Sequence, residues 1–281
     1  MKIISKFQSC ILITRPLNTI ITFFVVVVGA VIAIDENYLL NNIVLAGISA
    51  ALTAAAGNII NDILDKSSDK INHPNRIIPS GKLTIKQAGI EYFLLVIVAS
   101  VLSSFISQLA FLIVFLTSVL LFLYSNILKK IPLLGNITVA YLTGMAFIYG
   151  GVSVGHPRAA LIPAVFAFLI NLIRELIKDI QDIDGDKHAG INTFPIKYGV
   201  DKTKYLITFF VIILVVSTSL PFVFNIYRIE FFVVVMIVVN PILIYFLKLL
   251  YKNDFSVNLN KLSNMLKLDM VFGLLAIFLG V

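Results

Sequence analysis

Nine apolar runs constrain this chain more than any other feature. They cover Leu17–Ile34, Leu39–Ile60, Tyr92–Ser107, Leu109–Leu128, Leu133–Val154, Ala159–Ile177, Tyr205–Phe224, Phe231–Tyr251 and about Leu262–Val281. A helix that crosses a bilayer needs roughly 20 mostly apolar residues, so each run reads as a membrane span. Backbone polar groups find no water in lipid, which leaves helices or closed barrels. The runs are too long for barrel strands and do not alternate apolar with polar residues. The expected fold is therefore all-α, a polytopic membrane helical bundle of about nine transmembrane helices. The third and fourth runs are nearly continuous, and Lys267 and Asp269 interrupt the ninth. Composition agrees: 59% of the residues are hydrophobic and 13% charged, more apolar surface than a soluble core requires.

Charge sets the orientation. With a cytoplasmic N-terminus, alternate connections carry Lys2, Lys6 and Arg15, then Lys66 to Lys86, then Lys129 and Lys130. Arg174 to Lys204 follow, and then Lys248 to Lys267. Only Arg158 and Arg228, of 22 basic residues, fall on the other side. The positive-inside rule thus puts the N-terminus in the cytoplasm of a multi-pass cell-membrane protein. It also accounts for the +7 net charge without nucleic acid. Arg15 and eight further spans make the first run a membrane helix rather than a cleaved signal. A lone Cys10 excludes an internal disulfide and gives no metal-ligand pattern. No low-complexity linker divides the chain, so residues 1–281 read as one domain. The sequence leaves the oligomeric state open.

Two long cytoplasmic loops, about residues 61–90 and 179–204, both begin with clustered aspartates. On a helix continuing from the second run, Asn58, Asp62, Asp65 and Asp69 fall within about 60° of one another. Asn61 lies at the edge of that face. Glu175, Asp179, Asp182 and Asp186 repeat the same spacing at the end of the sixth run, 117 residues later. Asp184 falls off the face. Like charges one turn apart repel, and the helix dipole disfavours anions at a C-terminus. A divalent cation relieves both costs. Mg2+ takes carboxylate oxygens, keeps water and shares its shell with substrate phosphates. Two acidic clusters of this kind would hold Mg2+ ions that grip a diphosphate. In a membrane enzyme that suggests a prenyl diphosphate, an allylic cation and an apolar pocket that excludes water.

At these residues the chain resembles the UbiA-type family of intramembrane prenyltransferases. The family's NxxxDxxxD motif is matched by Asn61, Asp65 and Asp69, and its second DxxxD motif by Asp182 and Asp186. TRPLN (14–18), DKINHPNRIIPSGKLT (69–84), and YSNILKK (124–130) followed by LLGN (133–136) are similar to further family segments, in the expected order. The resemblance implies a bundle around a central cavity, with the active site towards the cytoplasm. It implies metal–diphosphate binding by Asn61, Asp65, Asp69, Asp182 and Asp186, with Asp62 and Asp179 in support. Lys129 is a candidate for contacting the diphosphate or a positive-inside anchor. Arg76 contacts phosphate or orders its loop. Tyr124 lines the cation site through its π face or is an interface tyrosine. Asn18 and Arg15 approach the site or simply bound the first helix. His73 and His188, with no other ligands near them, read as solvated loop residues.

Within that family, RELIKDIQDIDGDKHAGINTFPIKYG (174–199) is closely similar to the second-motif region of the archaeal digeranylgeranylglyceryl phosphate synthases. This implies transfer of a geranylgeranyl group from its diphosphate to geranylgeranylglyceryl phosphate, in ether-lipid synthesis. The acceptor's phosphate then needs a basic patch, for which Lys66, Lys70, Lys82, Lys178 and Lys187 are candidates. An aromatic or quinone-precursor acceptor is the alternative within the family. A transporter is the alternative outside it, disfavoured because the acids sit at one membrane face rather than at mid-depth.

Overall fold

The structure is a computed structural model and describes residues 6–34, 38–188, 190–252 and 258–281. Lys2, used above for orientation, lies outside them. Among the described residues every regular element is helical. In chain order they are α1 (Lys6–Ile13), α2 (Pro16–Ile32), α3 (Leu40–Leu64), α4 (Lys66–Asn72), α5 (Ile85–Ser104), α6 (Gln108–Asn126) and α7 (Leu134–Ser153). Then come α8 (Leu161–Gln181), α9 (Ile183–His188), α10 (Phe194–Tyr198), α11 (Val200–Val223), α12 (Ile229–Val234), α13 (Asn240–Leu250) and α14 (Leu259–Gly280).

Among the described residues, six stretches are long and apolar enough to cross a membrane: α3, α5, α6, α11, α12 with α13, and α14. The α1–α2 pair, bent by 46°, makes a seventh if counted as one span. The expected spans over α7 and α8 form helices of 20 and 21 residues. They fall short in composition: α7 carries Asn136, threonines and glycines, and α8 carries Arg174, Glu175 and Lys178.

Local chemistry fixes the breaks. Thr84 and Gln87 form a capping box at the start of α5, which satisfies two orphan backbone donors. Ser107 caps α6 by accepting from the Ala110 N–H at 3.0 Å, so the nearly continuous third and fourth runs part there. Pro16 occupies the first turn of α2, and Arg15 before it is left-handed at φ 54°.

The chain divides into two compact units. One contains residues 1–129 and 146–160, the other residues 130–145 and 161–281. In the first, α3 is central and packs on α2, α5 and α6. Small residues permit this. A Cβ on Gly47 would lie 2.6 Å from the Phe23 ring, and one on Gly150 would lie 2.2 Å from the Val26 carbonyl. Without a hydrophobic drive between helices in lipid, such backbone proximity supplies the dispersion energy. The Tyr149 and Ser49 hydroxyls meet at 2.6 Å in this core.

In the second unit α8 packs on α11 and α14, and α14 on α12 and α13. Leu172, Ile173, Leu176, Ile177 and Ile180 form the buried face of α8. A π-helical turn, Val235–Val239, joins α12 to α13 just before Pro241. Pro241 has no N–H to continue the ladder.

Candidate active site

The first acidic motif occupies the end of α3 and all of α4. Asp65 is the hinge between them, yet the helical ladder runs on through it. The Asp65 N–H donates to the Asn61 carbonyl at 2.9 Å, Asp69 N–H to Asp65 at 2.8 Å, and His73 N–H to Asp69 at 2.8 Å. The three motif residues therefore stack one turn above another, as their spacing requires.

Each carboxylate of this motif has a basic partner. Lys129 donates to both Asp65 and Asn61, the latter at 3.2 Å, with its side chain only 10% exposed. Arg76 donates to both oxygens of Asp69 at 2.8 Å. Arg15 donates to Asp62 at 2.6 Å, and Arg76 stands 3.9 Å from the same oxygen. Asn58 donates to the Thr14 carbonyl at 2.8 Å.

The acidic face thus has two jobs. Asn58 and Asp62 clamp the left-handed α1–α2 corner onto α3, while Asn61, Asp65 and Asp69 gather Lys129 and Arg76. The structure brings together Asn61, Asp65, Asp69, Arg76 and Lys129. Tyr124 is half-buried near the end of α6. Asn18 is exposed in the first turn of α2, and among the described residues its side chain makes no hydrogen bond to the cluster.

The second motif repeats the backbone pattern. Asp182 lies between α8 and α9. Its N–H donates to Lys178 at 2.9 Å, and the Asp186 N–H donates to Asp182 at 2.8 Å. Asp182 is exposed and Asp186 half-buried. Among the described residues neither forms an ion pair with Lys or Arg. Burial, and after it the Asp182 carboxylate, push Asp186 up to about 6. Asp179 accepts a hydrogen bond from the Asn136 amide at 2.9 Å. Asn136, near the start of α7, is a site residue that sequence reasoning passed over. Its signal was its place in the LLGN segment, four residues after Pro132. Glu175 lies within electrostatic reach of Asp179 on the same face, and it also has basic partners: Lys178 holds it at 2.5 Å and Arg174 at 3.5 Å. Asp184 and His188 are exposed, the histidine Nδ1 lying 2.6 Å from the Asp184 carbonyl.

Both motifs offer oxygen donors alone, carboxylates with one carboxamide. That chemistry suits a hard cation such as Mg2+ rather than zinc. Among the described residues no three Asp, Glu, His or Cys side chains are grouped closely enough to hold a metal by themselves. Mg2+ is usually held by one or two carboxylates and completes its shell with water and substrate phosphate. The residues fit Mg2+.

Known proteins share this architecture. A digeranylgeranylglyceryl phosphate synthase from Methanosphaera stadtmanae is 35% identical over 268 residues, covering 95% of this chain and 97% of its own. A solved structure of a digeranylgeranylglyceryl phosphate synthase superposes with a TM-score of 0.86 at 33% identity, covering 98% of each chain. A UbiA homolog from Archaeoglobus fulgidus, bound to GPP and Mg2+, shares the fold at a TM-score of 0.73 and 20% identity, covering 98% of this chain and all of its own. The profile of the UbiA prenyltransferase family matches residues 22–268, and with both acidic motifs inside that stretch the chain belongs to this family.

Proposed function

We propose that this protein is a multi-pass membrane prenyltransferase. It moves a geranylgeranyl group from geranylgeranyl diphosphate to geranylgeranylglyceryl phosphate and releases diphosphate. The observation that carries this reading is 35% identity over nearly the full length of a named digeranylgeranylglyceryl phosphate synthase, in a chain whose two aspartate motifs stack turn by turn. Charge placement supports a cytoplasmic N-terminus and a site towards the cytoplasm. The whole chain acts as one prenyltransferase domain.

Asn61, Asp65, Asp69, Asp182 and Asp186 would hold Mg2+. When bound, the ion supplies positive charge that stabilises the departing diphosphate. Lys129 and Arg76, already gathered by Asp65 and Asp69, add hydrogen-bond donors for charge growing on the leaving oxygen. The allylic C–O bond breaks with its electron pair going to the diphosphate. The free glyceryl hydroxyl forms the new ether bond and passes its proton to the departing diphosphate or to a site carboxylate. The apolar helices keep water from competing for the cation.

The test is purified protein with labelled geranylgeranyl diphosphate, Mg2+ and a panel of acceptors. Transfer to geranylgeranylglyceryl phosphate is expected. Transfer only to aromatic acids or quinone precursors overturns the acceptor assignment. Ion flux in proteoliposomes without any transfer overturns the enzyme.

A further inference from the structure

We propose that Arg174 and Lys178, on the polar face of α8, form the subsite for the acceptor's phosphate monoester. The inference rests on the acceptor class given above. Sequence reasoning counted Arg174 only towards membrane orientation, and Lys178 stood as one of five unresolved lysines. Three features of the second unit separate this pair from that background.

The first is incomplete pairing. The Arg174 Nε is buried and has no hydrogen-bond partner. Its Nη1 reaches only the Glu175 carboxylate at 3.5 Å, at the outer limit of a hydrogen bond. Glu175 is already engaged by Lys178 at 2.5 Å. Two cations therefore share the Glu175 carboxylate.

The second is burial. A basic residue that only anchors a helix end extends its head group into water. The Arg174 side chain is 22% exposed, less than Lys178 at 37%, and Arg174 lies a turn further from the end of α8. A buried guanidinium N–H without a partner is costly. A phosphate monoester would meet its donors in a forked geometry that lysine cannot offer.

The third is position along the helix. Arg174 and Lys178 are four residues apart and share a side of α8. Asp182 follows four residues later, about 12 Å along the axis from Arg174. A glyceryl phosphate carries its phosphate and its free hydroxyl on one three-carbon backbone. Anchoring the phosphate at Arg174 and Lys178 leaves the hydroxyl on the side of α8 that leads to Asp182.

The experiment compares geranylgeranylglyceryl phosphate with its dephosphorylated counterpart, using geranylgeranyl diphosphate as donor. In the unmodified protein the phosphorylated acceptor should have the higher kcat/KM. In Arg174→Gln that preference should fall at least tenfold while the KM for geranylgeranyl diphosphate stays within twofold, which also shows that the protein is folded. Arg174→Lys keeps the charge but loses the fork, and should lower the preference by a smaller factor. If Arg174→Gln does not fold, a preference unchanged in Arg174→Lys overturns the proposal. So does an unchanged preference in Arg174→Gln, or a rise in the diphosphate KM instead, which would move the pair to the donor side. Failure of the parent reading looks different: the unmodified protein would use neither glyceryl acceptor.

Discussion

Asp62 tests whether the acidic face is divided as described. It lies between two proposed metal-binding positions, yet its carboxylate is 5% exposed and bound to Arg15 at 2.6 Å. Asp62→Asn keeps the shape and removes the charge. A hydrogen bond to a charged group contributes about 1.5–3 kcal/mol. Arg15, at 36% exposed, regains hydration when released, and the 3.9 Å approach of Arg76 adds little. We expect a loss of about 2 kcal/mol, near the middle of that range. For a chain of this size that lowers Tm by roughly 4–8 °C. Thermal unfolding in detergent reads the shift, and a binding assay with geranylgeranyl diphosphate reads the site. Asp65→Asn, at a proposed Mg2+ position, should remove Mg2+-dependent binding, and its Tm should also fall because Lys129, 10% exposed, loses its charged partner. A stable Asp62→Asn that has lost Mg2+-dependent binding refutes the division.

Asp65→Ala and Asp182→Ala should each abolish turnover at saturating Mg2+ with the helical circular dichroism retained, and activity in either removes that residue from the core of the site. Lys129→Met should lower kcat on the order of a hundredfold, the usual scale for losing a donor to a developing anion; a kcat within threefold of the unmodified protein leaves Lys129 as a membrane anchor only. Gly150→Ala should cut thermal stability, since its new Cβ would meet the Val26 carbonyl at 2.2 Å and the Ala30 nitrogen at 2.5 Å, at a cost of about 1–3 kcal/mol. Gly273→Ala, with open space around the same atom, is the control, and equal Tm values for the two refute the close α2–α7 contact.

Much of this was legible because lipid simplifies the code. The run Leu39–Ile60 became α3, Leu40–Leu64, and the ninth run became α14 despite Lys267 and Asp269. Boundaries slipped where polar residues begin a helix. The third run was read from Tyr92, but α5 starts at Ile85, because Thr84 and Gln87 cap it before its apolar stretch begins. The short α1 was missed, and with it the corner that Asn58 and Asp62 hold. The motifs were legible because a four-residue spacing stacks side chains in any helix, and the structure keeps that stacking even across the hinges at Asp65 and Asp182. The partners were not. Lys129 reaches Asn61 across 68 residues and Asn136 reaches Asp179 across 43. Helical periodicity names the face of a helix, not the helix that packs on it. Periodicity also put Glu175 with the aspartates, and it does lie within reach of Asp179, but periodicity did not show that Lys178 and Arg174 hold it.

The most direct measurement follows the oxygen. Geranylgeranylglyceryl phosphate bearing heavy oxygen at its free hydroxyl is incubated with the protein, Mg2+ and geranylgeranyl diphosphate, and the products are weighed by mass spectrometry. Carbon–oxygen cleavage of the prenyl diphosphate predicts that all the label appears in the new ether and none in the released diphosphate. Label in the diphosphate, or no doubly prenylated product, contradicts the account.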